Sequence, residues 1–567
     1  MAQSDSFAGK PAVVTSPRRS VAAGAVLVVA AGLIAGGCSS SSSSSASSLA
    51  CSSKPATAVA GTAGGPAGPG VEPAAGWTQP GADLANTRDV ASPITSSNVS
   101  RLGVAWTVPL TIATSHTDGA YATTPVVVNG VVYVQDLESD VLAISLATGT
   151  VLWRHDYNSP NGAPDGVTVA GGVVYAATNQ AAVALNAATG AQLWSRTLIG
   201  NNHEGIGMTP GFNHGTVYVS TVPVNPRLGE YLAGGKGILW ALNAATGAPE
   251  WSWDETQDLW GNPSVNSGGG LWYAPSFDSQ GNLYIGVANP APIFGTKRYP
   301  LGSSRPGPNL YTDSVVKLSP AGKLLWYYQL TPHDLYDWDL QDPPVLTTAH
   351  GRPVVIDGGK AGIMIELDAQ TGKLLWKLPV GVHSGHENDG LLTEHATPTS
   401  HDPLPARYCL QPSIYGGIET QLASNGSTTF AAVNELALPA TPAGFTGSVT
   451  TVVAAVENAT GEMVAVNQDT GAVDWDTPLP SSPYGAATVT NDVVFTTTFH
   501  GDLYALDAAT GKILLKTPMS AGSNAPVAVD GDYVIAGAGV ALSGTERTMI
   551  IAYKLGATGK LPDTVGG

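Results

Sequence analysis

A repeated segment constrains the fold of this 567-residue chain more than any other feature. In VALNAATGAQLW, which ends at Trp194, alternating apolar residues lead into a turn with glycine, and a second run ends in tryptophan. Period-two alternation predicts strands, and glycine supplies the positive φ that a tight turn needs. Seven copies end at residues Trp153, Trp194, Trp251, Trp326, Trp376, Trp475 and Leu515. Each copy therefore predicts two strands joined by a turn.

A second hairpin precedes most copies, as in PVVVNGVVYV at residues 125–134. Two hairpins predict a four-stranded antiparallel sheet, which cannot bury both faces alone, so several sheets must pack side by side in a ring. Trp106 near the start has the final strand without its turn, and IIAYKL (550–555) near the end lacks a returning strand. We therefore predict an all-β fold over residues 77–567: an eight-bladed β-propeller closed by its N- and C-terminal strands.

The N-terminal region has the composition of an export signal followed by a linker. Basic residues precede an apolar run at 21–34 that is too short for an ordinary membrane span, and the run ends in LIAGGC. This resembles the lipobox of bacterial lipoproteins, so we expect a signal peptide at 1–37 and lipid anchoring through Cys38 to the outer face of the cell membrane. Plain secretion is the alternative, and the export route, Sec or Tat, stays open. Residues 38–76, rich in Ser, Gly and Pro, predict a disordered tether.

The net charge and the cysteines limit which partners and covalent attachments are expected. The net charge of the whole chain is −18, and loss of residues 1–37 removes three positive charges and one negative, which leaves about −20. Such a surface disfavours nucleic acid as a partner. Cys51 and Cys409 are free to pair in an oxidising compartment, and no CxxCH segment is present to attach haem.

The stretch HDLYDWDLQD (333–342) concentrates four aspartates among aromatic residues. A strand here would place the acids on one face and the rings on the other. Close carboxylates repel one another unless they share a cation or a proton. The stretch therefore predicts either a cation site or a turn between blades.

The repeat, of general form AxDxxTGxxxW, is similar to that of the pyrroloquinoline quinone (PQQ) dependent alcohol dehydrogenases. The resemblance runs from about residue 77 to residue 555 and includes NTRDVASPITSSNVSRLGVAW (86–106) and GAATVTNDVVFTTTFHGDLYALDAATGK (485–512). It implies an eight-bladed propeller with PQQ and a Ca²⁺ or lanthanide ion on the ring axis.

Segments between the repeats carry the resemblance to the family's site. By these matches Trp272 lies under the quinone and Lys360, in GGKAGIMIELDAQTG, contacts its oxygens. Asp337 falls at the position of the catalytic base. The implied metal ligands are Glu230, Asn289, Asp337 and Asp339.

Some family features are absent from this sequence. No adjacent cysteine pair is present, and NSPNGAPDGVTV (158–169) stands in its place. Asp165 lies near the position of a quinone-contacting arginine. The insertion GVHSGHENDGLLTEH (381–395) has no trustworthy zinc spacing and is interpreted as a loop over the ring.

Two functions follow from these observations. The first is a membrane-tethered quinoprotein oxidoreductase that oxidises a small alcohol or polyol and passes electrons to an external acceptor. The alternative is a non-catalytic propeller lipoprotein that acts as a binding or assembly scaffold. The acidic constellation favours the first, and the missing cysteine pair and arginine favour the second.

Overall fold

The computed structural model describes residue 51 and residues 73–110, 119–199, 203–225, 230–446 and 449–562. The expected signal peptide and Cys38 lie outside these residues. The described residues are almost entirely strands and turns, with two α-helices, α1 (Asp389–Thr393) and α2 (Val449–Glu457), and two 3-10 turns at Val99–Arg101 and Leu259–Gly261. Neither α-helix in these ranges is long and apolar enough to cross a membrane.

The strands follow one another along the chain with short turns. The first group is β1 Leu102–Pro109, β2 Val126–Val128, β3 Val131–Gln135, β4 Val141–Ser145, β5 Val151–His155, β6 Thr168–Ala170, β7 Val173–Ala177, β8 Ala181–Asn186, β9 Gln192–Thr197, β10 Gly211–Asn213, β11 Thr216–Ser220, β12 Val224–Asn225 and β13 Glu230–Tyr231. The second is β14 Ile238–Asn243, β15 Pro249–Asp254, β16 Ser267–Gly268, β17 Ser276–Phe277, β18 Leu283–Val287, β19 Pro290–Ala291, β20 Ser314–Leu318, β21 Leu324–Gln329, β22 Val345–Ala349, β23 Arg352–Gly359, β24 Ile363–Asp368, β25 Leu374–Pro379 and β26 Tyr408–Leu410. The third is β27 Ala423–Ser424, β28 Thr428–Glu435, β29 Leu438–Thr441, β30 Gly444–Phe445, β31 Thr460–Asn467, β32 Val473–Leu479, β33 Thr488–Thr490, β34 Val493–Thr497, β35 Asp502–Asp507, β36 Ile513–Pro518, β37 Ala528–Asp530, β38 Tyr533–Ala538 and β39 Met549–Leu555.

Most strands belong to four-stranded antiparallel sheets, and the described residues contain eight of them. Their strand orders are β2-β3-β4-β5, β6-β7-β8-β9, β10-β11-β14-β15, β17-β18-β20-β21, β22-β23-β24-β25, β27-β28-β31-β32, β33-β34-β35-β36 and β1-β39-β38-β37. The smaller sheets are β12-β13, β16-β19 and β26-β29-β30. The predicted four-stranded hairpin pairs are therefore present.

One sheet joins the two ends of the chain. Strand β1 pairs antiparallel with β39, so that Trp106 lies opposite Ala552. The prediction that N- and C-terminal strands share a sheet is confirmed.

The first strands of successive sheets contact each other: β2 with β6, β6 with β10, β17 with β22, β22 with β27, β27 with β33, β33 with β37, and β37 with β2. Between β10 and β17, a Cβ added at Gly211 would come 2.7 Å from Pro275 and 3.6 Å from Phe277. Segments that connect these strands therefore converge on a common centre.

The repeat tryptophans fasten neighbouring sheets together. Each indole N–H donates to a main-chain carbonyl in the turn of the next sheet, at 2.7–3.2 Å. The turn glycine lies over the ring: at Gly190, with φ of +71°, an added Cβ would come 2.6 Å from Trp153. The turn thus needs glycine both for its backbone conformation and for this close approach. The contact between a repeat tryptophan and the turn glycine of the next sheet thus occurs seven times in the described residues.

A disulfide bonds Cys51 to Cys409, whose Cα atoms are 5.7 Å apart. It attaches an N-terminal residue to β26, within the long insertion between β25 and β27. The pairing that the sequence left open is present in the structure.

Candidate active site

The aspartate-rich stretch lies at the centre as an irregular segment between β21 and β22. No strand forms across residues 331–344, so the acids and rings do not divide onto two strand faces. Asp334 accepts hydrogen bonds from the main-chain N–H groups of Tyr336 and Trp338, at 2.8 and 3.0 Å. The fully buried Arg305 donates to the carbonyl of Asp334 at 2.6 Å. Asp334 thus shapes the turn that presents the acids following it.

Asp337 and Asp339 meet the ammonium group of Lys360. Lys360 Nζ lies 2.8 Å from Asp337 Oδ2 and 2.9 Å from Asp339 Oδ2. All three side chains are buried. Asp337 has a positive φ of 64°, which turns its side chain out of register with its neighbours.

Asn289 and Tyr231 complete this constellation. The Tyr231 hydroxyl lies 3.0 Å from Asn289 Oδ1 and 3.3 Å from Asp337 Oδ1. The main-chain N–H of Asn289 donates to Asp339 Oδ1 at 2.6 Å. The structure therefore brings four predicted site residues within one network with Tyr231: Asn289, Asp337, Asp339 and Lys360.

Burial and charge together set the protonation of the network. Burial alone would lower the pKa of Lys360, but the Asp337 and Asp339 carboxylates outweigh it and raise that pKa well above its usual value. Burial raises the pKa of Asp339, and the Lys360 ammonium opposes this effect. Lys360 therefore keeps its proton, and its positive charge lies between the two carboxyl groups.

The network borders a pocket with about 950 Å³ of space free of protein atoms, open solvent included. Trp272, Tyr231, Asp337 and Lys360 line it, together with residues from the insertion and from the last sheets. Trp272 is 9% exposed, and its indole nitrogen has no hydrogen-bond partner. Trp272 thus forms part of the pocket wall.

Glu255 holds the segment that carries Trp272. Its carboxyl group accepts from Ser220 Oγ at 2.7 Å and from the main-chain N–H of Gly270. Glu255 is fully buried, and burial raises its pKa to about 8. Glu255 lies outside the segments that resemble the family's site, so nothing in its sequence context indicates this contact.

Glu419 is a second carboxylate in the pocket. Its Oε2 accepts from Gln341 Nε2 at 3.0 Å, and its Oε1 has no hydrogen-bond partner. Burial raises its pKa to about 7, against the lowering influence of Lys360. Sequence reasoning assigned it no role, because YGGIETQLA has no chemical signature of its own.

The donors of this site fit a hard cation in their chemistry. Asp337, Asp339 and the amide oxygen of Asn289 are the oxygen types that Ca²⁺ and lanthanides prefer. The Lys360 ammonium at 2.9 Å is the one polar contact given for Asp339 Oδ2 among the described residues. Nowhere in the described ranges do three or more His, Cys, Asp or Glu side chains gather in a metal-holding group. A cation here would therefore rely on Asn289 and would take the place that the ammonium holds.

Three further positions, Glu230, Asp165 and Ala163, bear on the expectations from the sequence. Glu230 begins β13, and its side chain is outside the described part of the structure. Asp165 is buried, where it accepts from Asn161 Nδ2, and it does not line the pocket. Ala163, from the segment that replaces the cysteine pair, does line it.

The histidine-rich segment 381–395 forms internal hydrogen bonds. His383 Nδ1 lies 2.8 Å from Glu387, and His386 Nδ1 lies 2.7 Å from Asp389. Asp389 also accepts from the hydroxyl of Tyr336, which joins the insertion to the aspartate-rich segment. Ile414 and Tyr415, further along the longer segment between β25 and β27, border the pocket.

The fold and the pocket define a β-sheet protein with a central, acid-lined site. The family model described as the glucose/ethanol/alcohol dehydrogenase β-propeller domain matches residues 77–169 and 215–415, more than half of the chain. The chain belongs to this family of PQQ β-propeller proteins. A second model, the outer membrane protein assembly factor BamB, matches residues 137–284.

Curated relatives agree with this assignment. The chain is 32% identical over 355 residues to quinohemoprotein alcohol dehydrogenase of Comamonas testosteroni, which covers 55% of this chain and 48% of that protein. It is 28% identical over 520 residues to the putative dehydrogenase XoxF of Paracoccus denitrificans, covering 78% and 82%. The chain thus spans about half the length of the first relative and most of the second.

Solved structures share the fold. The quinohemoprotein alcohol dehydrogenase ADHIIG of Pseudomonas putida superposes with a TM-score of 0.73 at 21% identity, over 87% of this chain and 82% of that one. A europium-containing methanol dehydrogenase gives a TM-score of 0.67 at 19% identity, over 85% and 98%.

Proposed function

We propose that residues 77–567 form an eight-bladed propeller that oxidises an alcohol or polyol with PQQ and a bound Ca²⁺ or lanthanide ion. The observation that carries this proposal is the meeting of Asp337, Asp339, Asn289 and Lys360 at one pocket. The eight four-stranded sheets and the contacts among their first strands support the ring. Family membership and the dehydrogenase relatives support the reaction class.

The residues of this chain have distinct parts in that reaction. Asp337 accepts the proton of the substrate hydroxyl. Lys360 stabilises negative charge that develops next to it. Tyr231 orients Asn289 and Asp337 through its hydroxyl. PQQ and its cation, when bound, supply a polarised carbonyl that accepts hydride.

Residues of the site are suited to hold both the quinone and the cation. Trp272 would face the quinone ring, and Asn289, Asp337 and Asp339 would hold the cation, with Glu230 as a further ligand. Binding would displace the Lys360 ammonium from the two carboxylates toward the quinone oxygens. Electrons would leave to an external acceptor.

Location follows from the N-terminal signals. The proposed protein is exported, loses residues 1–37, and is held to the outer face of the membrane through lipid on Cys38 and the tether 38–76. Its net negative charge disfavours nucleic acid as a partner.

The test is reconstitution of the purified apoprotein. PQQ with Ca²⁺ or La³⁺ is expected to quench tryptophan fluorescence and to give alcohol-dependent reduction of a dye. Asp337→Asn should abolish dye reduction, whereas Asp278→Asn on an outer turn serves as a matched control. Absence of both quenching and dye reduction with either ion would overturn the proposal.

A scaffold role is the second candidate. It is favoured by Ala163 at the place of the cysteine pair, and by the match of an assembly-factor model to residues 137–284. Failure of reconstitution would support it.

A further inference from the structure

We propose that the disulfide between Cys51 and Cys409 holds the pocket side of the ring toward the membrane, with Leu391 and Leu392 in contact with lipid. The inference rests on the lipid anchor at Cys38, which is part of the proposed function. It adds an orientation of the ring and a second contact with the membrane.

Strand β37 distinguishes the two faces of the ring. Asn524, before this strand, lines the pocket, whereas Asp530 is its last residue. The main-chain N–H of Trp77 donates to Asp530 Oδ1 at 3.3 Å. Trp77 therefore lies at the end of β37 that is away from the pocket. We call this side the far face and the other side the pocket face, and the N-terminal chain joins the ring at the far face.

The disulfide lies on the pocket face. Cys409 belongs to β26, and Ile414 and Tyr415, a few residues further along, line the pocket. The Cα atom of Cys51 is 5.7 Å from that of Cys409. The chain is thus held on the pocket face at Cys51, before it joins the ring on the far face at Trp77.

This bond changes both the length and the end point of the connection to the anchor. Cys51 is 13 residues after Cys38, and an extended chain of that length reaches at most about 45 Å. Without the bond, the chain would run 39 residues to Trp77 and could reach about 130 Å. Because the shorter connection ends on the pocket face, we expect this face to be the one nearer the membrane.

Two exposed leucines lie next to this attachment point. Leu391 and Leu392 are 55% and 64% exposed, the highest values among the large apolar side chains of the described residues. They belong to α1, whose first residue, Asp389, lies 2.7 Å from His386 Nδ1. The His386 ring stacks on Tyr408, the neighbour of the bonded cysteine, with centroids 4.3 Å apart. The leucines and the disulfide therefore belong to one packed unit.

A lipid surface is the partner that these observations favour for the leucines. The anchored chain ends beside them, so the membrane is the surface that a covalent link brings close. Apolar side chains at the lipid boundary strengthen attachment in proportion to the apolar area they bury. The net charge of about −20 disfavours anionic lipid, so a lipid of low charge, such as phosphatidylcholine, fits this contact. Substrate and electron acceptor would then reach the pocket from the membrane side.

The experiment uses the exported, lipid-bearing chain in phosphatidylcholine vesicles. The chain has three cysteines. With Cys38 lipidated and the disulfide intact, Leu392→Cys supplies the only free thiol, which takes an iodoacetamide derivative of the fluorophore NBD. Contact with lipid should shift the NBD emission to shorter wavelength, and lipids with a doxyl group in the acyl chain should quench it.

The matched control is a label on the far face. Tyr273 lines the pocket before β17, and the exposed Ser279 lies in the turn after that strand. NBD on Ser279→Cys should therefore show neither the shift nor the quenching.

Breaking the bond in two ways tests its part in the orientation. Cys51→Ser together with Cys409→Ser, in the Leu392→Cys chain, should lower the quenching at residue 392. Reductant added to the labelled protein should have the same effect without any change in sequence. Circular dichroism at the assay temperature establishes that the ring is still folded. Quenching at residue 392 that survives both treatments in folded protein would overturn the role of the disulfide.

The outcomes separate this inference from the proposed function. Absence of lipid on Cys38, seen by mass spectrometry of its peptide, would overturn both the tethering and the orientation. With lipid present, quenching at residue 279 equal to or above that at residue 392 would overturn the orientation alone. A shift at residue 392 without doxyl quenching would assign the leucines to a second copy of this chain and overturn the lipid contact. None of these readouts depends on alcohol oxidation, so a failed oxidoreductase assay is told apart from a failed orientation.

Discussion

The ammonium group of Lys360 lies 2.8 Å from a carboxylate oxygen of Asp337, and both side chains are buried. The same ammonium lies 2.9 Å from Asp339, so one positive charge serves two acids. In a buried setting, two unpaired carboxylates would be costly, and the lysine offsets that cost. A cation that binds between the acids must compete with this internal charge.

Removal of the lysine charge should therefore strengthen cation binding. In Lys360→Met apoprotein, Tb³⁺ no longer competes with the ammonium for the two carboxylates. Its affinity should therefore rise by at least about tenfold, which corresponds to about 1.4 kcal/mol of binding free energy. Tb³⁺ luminescence, sensitised by nearby tryptophan, gives the affinity without any catalytic assay. Lys516→Met, at a half-exposed lysine on an outer strand, controls for charge removal alone. Unchanged affinity in Lys360→Met would contradict cation binding at this pair.

The Tyr231 hydroxyl should matter for turnover more than for folding. It contacts Asn289 and Asp337 at once, so Tyr231→Phe leaves the two groups less well oriented. We expect kcat of the reconstituted enzyme to fall about tenfold or more, within the range of a lost orienting hydrogen bond. Thermal unfolding should change little, and Tyr299→Phe at an exposed loop is the matched control. An equal loss of kcat in both variants would argue against the role of Tyr231.

Much of the architecture was predictable because the repeated residues contact each other between neighbouring sheets. They do more than favour a local secondary structure. Gly190 and Trp153 come from successive copies, yet they touch, so the same pair recurs wherever two sheets meet. The pairing of β1 with β39 followed from Trp106 and IIAYKL, which each lacked a partner within its own copy.

The site was predictable only where the segments resembled the family. Asn289, Asp337, Asp339 and Lys360 lie in one network, with the Lys360 ammonium beside both acids, and their roles toward a cofactor and a cation stay predictions. Tyr231, Glu255 and Glu419 were missed, since each acts through a contact between distant segments that a single sequence does not reveal. The stretch HDLYDWDLQD left a turn between blades and a cation site open. Hydrogen bonds from main-chain N–H groups to Asp334, and from Arg305 to the Asp334 carbonyl, hold it as an irregular segment between β21 and β22.

The disulfide should stabilise the folded chain measurably. Cys51 and Cys409 are 358 residues apart in sequence, so their bond restricts the unfolded chain strongly. Loss of such a bond costs about 2–4 kcal/mol in unfolding free energy. Cys409→Ser and treatment with reductant should lower Tm to a similar extent, and reductant should not lower the Tm of Cys409→Ser further. Non-reducing peptide mapping would show the linked pair directly, and its absence would contradict the bond.

The burial of Glu255 predicts a loss of stability as pH rises. Its pKa is about 8 in the folded protein against an ordinary value of 4.5, so the folded state holds a proton that the unfolded state releases. The stabilising contribution is complete below pH 4.5 and is lost as pH rises through 8, at about 1.4 kcal/mol per pH unit. Glu255→Gln keeps a neutral group of the same shape, so its unfolding free energy should fall less steeply between pH 5 and 8. Denaturant unfolding at several pH values gives both slopes, with Glu250→Gln, an exposed residue, as control. Equal slopes of unfolding free energy against pH for Glu255→Gln and the unmodified protein would show that Glu255 is charged in the fold. The Gly270 N–H would then donate to a carboxylate.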